Sequence, residues 1–302
     1  MDFFLAAAFF FAVVFFLEGA ASNAGARVSV DAFVGAPSFA FPFLVGFASC
    51  FVAGLFGVGG GLITVPVLFY IFDSAGLDRS FIMHLAVGTS FAIIIPTSFV
   101  STITHMKFKA VDFDIVKSFG VFVMFGIIIG TIFAANLKTA YLILFFSIIT
   151  MFFAFYFLIS KEKMKPMQNK MNMMHKIILG SLSGFFAAPM GIGGGSINVP
   201  ILKMFGYSIN QAIGSSAAIG FLVSLIGALG FAISGTYLDT EAPLSFGFVN
   251  IPAFLIFIPI TMIMAKIGAK AVHQINKQII NRLFGVFLFI VSCRLFLEYL
   301  SF

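Results

Sequence analysis

Gly57-Val58-Gly59-Gly60-Gly61-Leu62-Ile63-Thr64-Val65-Pro66 reappears as Gly191-Ile192-Gly193-Gly194-Gly195-Ser196-Ile197-Asn198-Val199-Pro200, with the same glycine spacing and the same Val-Pro ending. Each glycine costs a helix roughly 1 kcal/mol, so neither copy belongs inside an uninterrupted helix unless the break is useful. Apolar arms flank both copies: Phe41 to Phe56 and Leu62 to Phe72 for the first, Ile177 to Met190 and Ser196 to Phe205 for the second. The trailing arms are short enough to reach only about half way across a bilayer. A duplicated break of this kind points to a transport site near the membrane midplane.

Composition sets the class. The chain has 302 residues, 61% of them hydrophobic and only 9% charged, with a mean hydropathy of +1.14. A soluble domain could not cover its core with so little polar surface, so this is an integral membrane protein. The net charge of +6 comes from lysines gathered in short loops between spans, which reports orientation and excludes a nucleic-acid partner. Cys50 and Cys293 are the only cysteines, and two lone thiols in apolar stretches form neither a disulfide framework nor a metal site.

Further apolar stretches run at Phe3 to Leu17, Leu85 to Thr104, Ser118 to Ala135, Ala140 to Ser160, Gln211 to Ser234, Phe248 to Met264 and Gln278 to Leu300. Each can cross about 30 Å of hydrocarbon, the first only just. Two geometries fit the glycine motifs: a re-entrant hairpin that turns at the glycines, or a kink in one crossing helix. Lys161, Lys163, Lys165, Lys170 and Lys176 place the central linker, 161–176, in the cytoplasm. With hairpins, Lys107, Lys109 and Lys117 fall inside and the loops carrying Asp73, Asp78 and Arg79, or Asp239 and Glu241, fall outside. Lys266, Lys270, His273 and Lys277 then also fall inside. A kinked span reverses the last assignments, so charge parity favours the hairpin.

The hairpin reading makes the halves inverted copies. Gly88-Thr89-Ser90 corresponds to Gly214-Ser215-Ser216, and Gly130 to Gly268. The expected architecture is an all-α polytopic membrane protein of two inverted repeats. Each has a glycine-rich re-entrant or broken-helix hairpin plus three spanning helices. The first repeat covers 41–160 and the second 177–302. Residues 1–40 hold either an extra N-terminal helix or a cleaved signal, followed by an external segment, since Ser22-Asn23-Ala24 offers a cleavage-like site while Asp2 leaves the n-region without a positive charge.

A half-helix that starts after Gly61 or Gly195 presents unpaired N–H groups and the positive end of its dipole, which suits an anion. The candidate substrate-binding residues are Gly59, Gly60, Gly61, Thr64, Thr89, Ser90, Gly193, Gly194, Gly195, Ser196, Asn198, Ser215 and Ser216. Small residues also serve plain helix packing, and Gly126 with Gly130 reads that way. No Asp or Glu lies centrally in any span, and Glu18 and Glu298 sit near ends, so a carboxylate-based cation antiporter is disfavoured. Lys203 lies near the cytoplasmic end of its short arm, where snorkelling accounts for it. His84 and His105 stand at opposite ends of one span.

Enzymatic readings lack residues. The glycine triplet has no Gly-Lys-Ser/Thr ending, no Gly-x-Gly-x-x-Gly spacing and no strand context, so it is neither a P-loop nor a dinucleotide fingerprint. No Ser/His/Asp or zinc-ligand constellation occurs, and the reading assigns no catalytic residue, metal or cofactor.

The paired Gly-x-Gly-Gly-Gly-x-x-x-Val-Pro elements, each followed by an Ala-x-Gly-Ser/Thr-Ser-like segment (Ala86 to Ser90 and Ala212 to Ser216), resemble the TauE/SafE family of sulfite exporters and related permeases. The likeness covers residues 41 to 300. It maps the family pattern onto Gly57, Gly59, Gly60, Gly61, Thr64 and Pro66, and onto Gly191, Gly193, Gly194, Gly195, Asn198 and Pro200. The resemblance implies a multi-pass protein of the cell (inner) membrane that exports or takes up sulfite, an organosulfonate or another small anion. The expectation is a secondary transporter working by alternating access, with an anion channel of the same fold or a permease for a non-sulfur organic anion as alternatives. Its partners are the anion and the lipid bilayer, with a homo-oligomer compatible with the fold.

Overall fold

The computed structural model describes residues 61–159, 171–238, 243–271 and 277–302. Gly57 to Gly60, the N-terminal stretch with Glu18, the arm Phe41 to Phe56 with Cys50, the linker lysines 161, 163, 165 and 170, Asp239, Glu241 and His273 lie outside the described residues.

The described chain is almost wholly helical: α1 (Gly61–Ser74), α2 (Ile82–Lys107), α3 (Phe113–Ser118), α4 (Gly120–Ala135), α5 (Thr139–Ile159), α6 (Met173–Ala187), α7 (Gly195–Met204) and α8 (Ile209–Tyr237) precede a two-stranded turn. That turn pairs β1 (Ser245–Phe246) with β2 (Val249–Asn250), antiparallel, and leads into α9 (Ile251–Ala271) and α10 (Lys277–Ser301). Among the described residues, four helices are long and apolar enough to cross a membrane: α2, α5, α8 and, from Phe284, α10. α1, α4, α6 and the first part of α9 are shorter apolar helices.

Local chemistry sets the helix starts. Ser208 and Gln211 form a reciprocal capping box at α8. The Asp112 carboxylate accepts the N–H groups of Asp114 and Ile115 at α3, and Asn250 Oδ1 accepts the Ala253 N–H at α9. α7 instead begins at Gly194, held at φ +75°, a left-handed conformation in which glycine avoids the steric cost of a Cβ.

The stretches at Leu85, Ala140, Gln211 and Gln278 coincide with α2, α5, α8 and α10 to within a few residues. Two others differ. The span expected from Ser118 starts at Gly120, because Asp112 initiates a separate six-residue α3. The span expected from Phe248 starts at Ile251, because Gly247 turns the chain at φ +55° and Asn250 caps the helix.

α2 and α8 pack along each other, and α5 and α10 do the same. α4 lies on α6 and α8, while α9 lies on α2. The α4–α6 seam is built from small residues: a Cβ at Gly126 would strike the Ser181 carbonyl, and one at Gly184 would strike the Val123 carbonyl. Close backbone approach of this kind is how helices gain contact where lipid removes the hydrophobic drive between them.

Candidate functional site

The chain breaks between α6 and α7, across residues 188–194, and every residue of the break is buried. Gly191 and Gly194 are left-handed, at φ +58° and +75°. The backbone of the turn is partly closed on itself: the Gly191 N–H donates to the Ala188 carbonyl at 3.2 Å, and the Ile192 N–H to the Ala187 carbonyl at 3.3 Å. The Gly194 carbonyl accepts the N–H groups of Ile197 and Asn198, at 3.1 and 2.8 Å, and so opens α7. The N–H groups of Gly195 and Ser196 come before the first of these bonds and have no intrahelical acceptor.

Two long helices and the start of α1 enclose this turn. From α2, Ser90 Oγ donates to the Gly191 carbonyl at 2.9 Å, and Ile94, one turn on, would meet a Cβ of Gly193 at 3.1 Å. From α8, Gly220 leaves room for Gly193, whose carbonyl would lie 2.7 Å from a Cβ placed there. Ser216 stands one turn before Gly220, on the same face of α8. From α1, Gly61 lies against Gly191 and Ile192: a Cβ on it would reach Ile192 Cα at 2.7 Å. The end of one glycine motif therefore packs directly on the other. Larger residues at Gly61, Gly191, Gly193 or Gly220 would separate these backbones.

The sequence-derived residues fall into distinct roles. Gly59 and Gly60 lie outside the described residues. Gly61, Gly193, Gly194 and Gly195 form the contact just described. Thr64 is 2% exposed on α1. Thr89 and Ser215 are engaged elsewhere: Thr89 Oγ1 accepts the Asn250 N–H at 2.9 Å, and Ser215 Oγ accepts the Asp112 N–H at 2.9 Å. Ser90 is tied to the Gly191 carbonyl. Of the sequence-derived candidates, three carry a buried polar atom with no hydrogen-bond partner among the described residues: Ser196 Oγ, Asn198 Nδ2 and Ser216 Oγ. Unpartnered buried groups each cost about 1–3 kcal/mol, so the two on the first turn of α7, Ser196 Oγ and Asn198 Nδ2, call for a ligand or water.

Asn198 is held by a residue that the sequence pattern did not single out. Ser183 of α6, 1% exposed, donates to Asn198 Oδ1 at 2.5 Å across the break. A signal for it exists in the repeat, because Ser49 precedes Thr64 by the same fifteen positions that separate Ser183 from Asn198.

Other candidates take structural places. Lys203 is half-buried in the last turn of α7. His84, expected at an interface, is 2% exposed and stacks on Phe248 with ring centroids 5.0 Å apart. Glu298 pairs with Arg79 at 3.4 Å, and Arg79 also grips Asp73 at 2.8 Å. Cys293 is a free, half-buried thiol. An open polar recess of about 290 Å³, lined by Lys109, Asp112, Asp114 and Gln211 among others, lies at the ends of α2, α3 and α8 and includes none of the glycine-turn residues. Among the described residues no group of three or more His, Cys, Asp or Glu could hold a metal ion.

Comparison with known proteins gives a consistent picture. The family model described as "Sulfite exporter TauE/SafE" matches residues 42–295. A "Probable membrane transporter protein" of Haemophilus influenzae is 32% identical over 255 residues, covering 84% of this chain and 97% of that protein. A "Probable membrane transporter protein" of Methanocaldococcus jannaschii is 28% identical over 239 residues, covering 78% and 86%. The "Probable membrane transporter protein YunE" of Bacillus subtilis is 26% identical over 289 residues, covering 86% and 98%. No solved structure matches the chain.

Proposed function

The chain belongs to the TauE/SafE family of membrane transporters, and from that membership we propose that it is a secondary transporter of a small oxyanion, sulfite or an organosulfonate. The observation that carries the substrate class is the pair of unpartnered polar atoms at the start of α7, Asn198 Nδ2 and Ser196 Oγ, with the unpartnered Ser216 Oγ on α8 one turn before the Gly220 that packs on Gly193. They accompany free helix N–H groups and the positive end of the α7 dipole. The anion would bind beside the Gly191 to Gly195 turn. Dipoles and hydroxyls neutralise it only in part, which keeps binding weak enough for release.

Alternating access would use two inverted repeats, 41–160 and 177–302, moving against each other around this site. The packing of Gly61 on Gly191 and Ile192 supports opposed half-helices that share one midplane contact. The protein resides in the cell membrane with the basic linker in the cytoplasm, as its lysines favour.

The test is reconstitution in liposomes, with uptake of labelled sulfite measured against sulfate, taurine, sulfoacetate and lactate, with and without a pH gradient. Saturable uptake with counterflow supports the carrier. Selective uptake of lactate would overturn the sulfur-oxyanion assignment, and linear single-channel currents would replace the carrier by a channel.

A further inference from the structure

His84 packs as a structural residue on α2, yet among the described residues it is the one fully buried side chain that can gain a charge near neutral pH. Ionisable groups inside a membrane are expensive, and they mark the paths of ions and protons. This ring lies where the Phe248 to Asn250 segment inserts on α2. It stacks on Phe248, and Phe81 meets its edge. One turn on, Gly88 makes room for the Phe248 carbonyl, and Thr89 accepts the Asn250 N–H. Ser90 then donates to the Gly191 carbonyl of the glycine turn. About 9 Å of one helix therefore joins the imidazole to the candidate site.

The two ring nitrogens differ. Thr139 Oγ1 donates its only proton to the Ser80 carbonyl, so toward His84 Nδ1, 3.3 Å away, it can only accept. Nδ1 thus carries the hydrogen of the neutral ring, and Nε2 keeps its lone pair. Nε2 is buried and has no hydrogen-bond partner among the described residues.

The surroundings suit a cation better than a second neutral donor. The Ala134 and Leu137 carbonyls face the ring where α4 ends, and the C-terminal end of a helix dipole favours positive charge. The charged side chains of the flanking loops, Asp78, Arg79 and Lys138, are exposed. Among the described residues no carboxylate, ammonium or guanidinium acts on the ring from α1, α4, α5, α8, α9 or the β1–β2 turn. In the packed state a proton on Nε2 has no acceptor. Holding it requires a carbonyl or water to reach Nε2, and therefore a shift of the joint between α2 and Phe248. A proton that binds one arrangement better than the other moves the balance between them.

We propose that His84 is a proton-binding residue, and that the proton taken up at Nε2 is the coupling ion through which a pH gradient drives anion transport. The proton comes from water on one face, turns imidazole into imidazolium, and returns to water on the other face, so the only bond made and broken is N–H. This inference rests on the anion-transport reading and adds to it the coupling ion and the residue that carries it.

The experiment uses the full-length protein in liposomes, with potassium and valinomycin holding the membrane potential at zero. Two quantities are measured: exchange of labelled sulfite at equal pH, and its accumulation in vesicles made alkaline inside. Protein-free vesicles give the passive entry to subtract. Wild type is expected to do both, with accumulation several-fold above the outside concentration. His84→Gln supplies a permanent N–H donor that no proton gradient controls, so it should keep exchange and lose accumulation. Thr139→Val removes the acceptor at Nδ1 and should move the midpoint of the uptake pH profile to lower pH. The titration of sulfite itself is common to all three proteins and cancels in the comparison.

Wild type that carries no oxyanion overturns the transport reading itself. Wild type that exchanges sulfite without accumulating it overturns the coupling inference alone, as does His84→Gln protein that still accumulates sulfite. Should His84→Gln lose exchange too, or fail to reach normal abundance, Thr139→Val decides, and an unchanged pH profile in that variant overturns the proposal.

Discussion

Thr89 holds the Asn250 N–H at 2.9 Å, and Ser215 holds the Asp112 N–H at the same distance. The correspondence extends along both segments. Two residues before each held N–H, the carbonyls of Phe248 and Ala110 occupy the space left by Gly88 and Gly214. Three residues before, Gly247 and Lys109 are both left-handed, at φ +55° and +52°. After it, the Asn250 and Asp112 side chains cap α9 and α3. Each half thus gives the other a glycine and a hydroxyl, and receives a capped helix start. Such matched exchange supports the duplicated architecture more strongly than the glycine motifs alone.

These two clasps predict a stability effect. Thr89→Val and Ser215→Ala each remove an acceptor from a backbone N–H, and an orphaned buried N–H costs about 1–3 kcal/mol. The Asn250 contact is fully buried and the Asp112 contact only partly, so Thr89→Val should cost more. Thermal unfolding in detergent measures both. The double variant should show the sum of the two losses, because separate contacts without shared partners add.

The Gly194 position predicts a second outcome. Gly194→Ala adds left-handed strain of roughly 1–2 kcal/mol and drives the new Cβ to within 2.9 Å of Asn198 Nδ2. Gly76 is the matched control, left-handed at φ +73° with nothing within 4 Å of a Cβ. Gly76→Ala should lower the melting temperature with sulfite uptake unchanged, while Gly194→Ala should lower uptake beyond any loss of abundance. Equal uptake in the two variants, per folded molecule, would remove the turn from the transport path.

The parts of this molecule that could be read from its sequence are those with a local signature. Apolar length located α2, α5, α8 and α10, and the glycine triplet located the break before α7. Phe248 shows the limit: its apolarity reads as span, yet Gly247 and Asn250 make it part of a turn. Ser215 and Thr89 looked like site-lining hydroxyls because their partners, 103 and 161 residues away, leave no mark in the neighbouring sequence. Ser183 escaped for a different reason: its partner Asn198 is only fifteen residues on, but one serine among small residues on an apolar helix reads as packing until the two arms are folded together.

The α4–α6 seam predicts loss of assembly. Gly126 meets the Ser181 carbonyl, and a Cβ on Gly130 would lie 2.6 Å from the Phe185 carbonyl. The listeners to any change here are backbone atoms, which cannot rotate away as a side chain could. Gly126→Leu or Gly184→Leu should therefore abolish the folded, monodisperse species in size-exclusion chromatography. Gly230→Ala makes the comparison, because its Cβ would press on the Thr131 methyl at 2.5 Å, a side chain able to shift, and it should retain assembled protein.

Ser90 and Ser216 are the sharpest pair, because they occupy matching places in the two Gly-Ser/Thr-Ser segments yet differ in bonding. Ser90 Oγ donates to the Gly191 carbonyl at 2.9 Å, whereas Ser216 Oγ is buried with no partner among the described residues. Ser90→Ala should lower the melting temperature, since a lost buried hydrogen bond costs about 1 kcal/mol. Ser216→Ala has no such bond to lose and should leave the unfolding midpoint close to wild type. If the Ser216 hydroxyl faces the anion, however, the same variant should raise the KM for sulfite several-fold. A Ser216→Ala protein with unchanged stability and unchanged KM would show that this hydroxyl only fills space on α8, and would move the site toward Ser196 and Asn198.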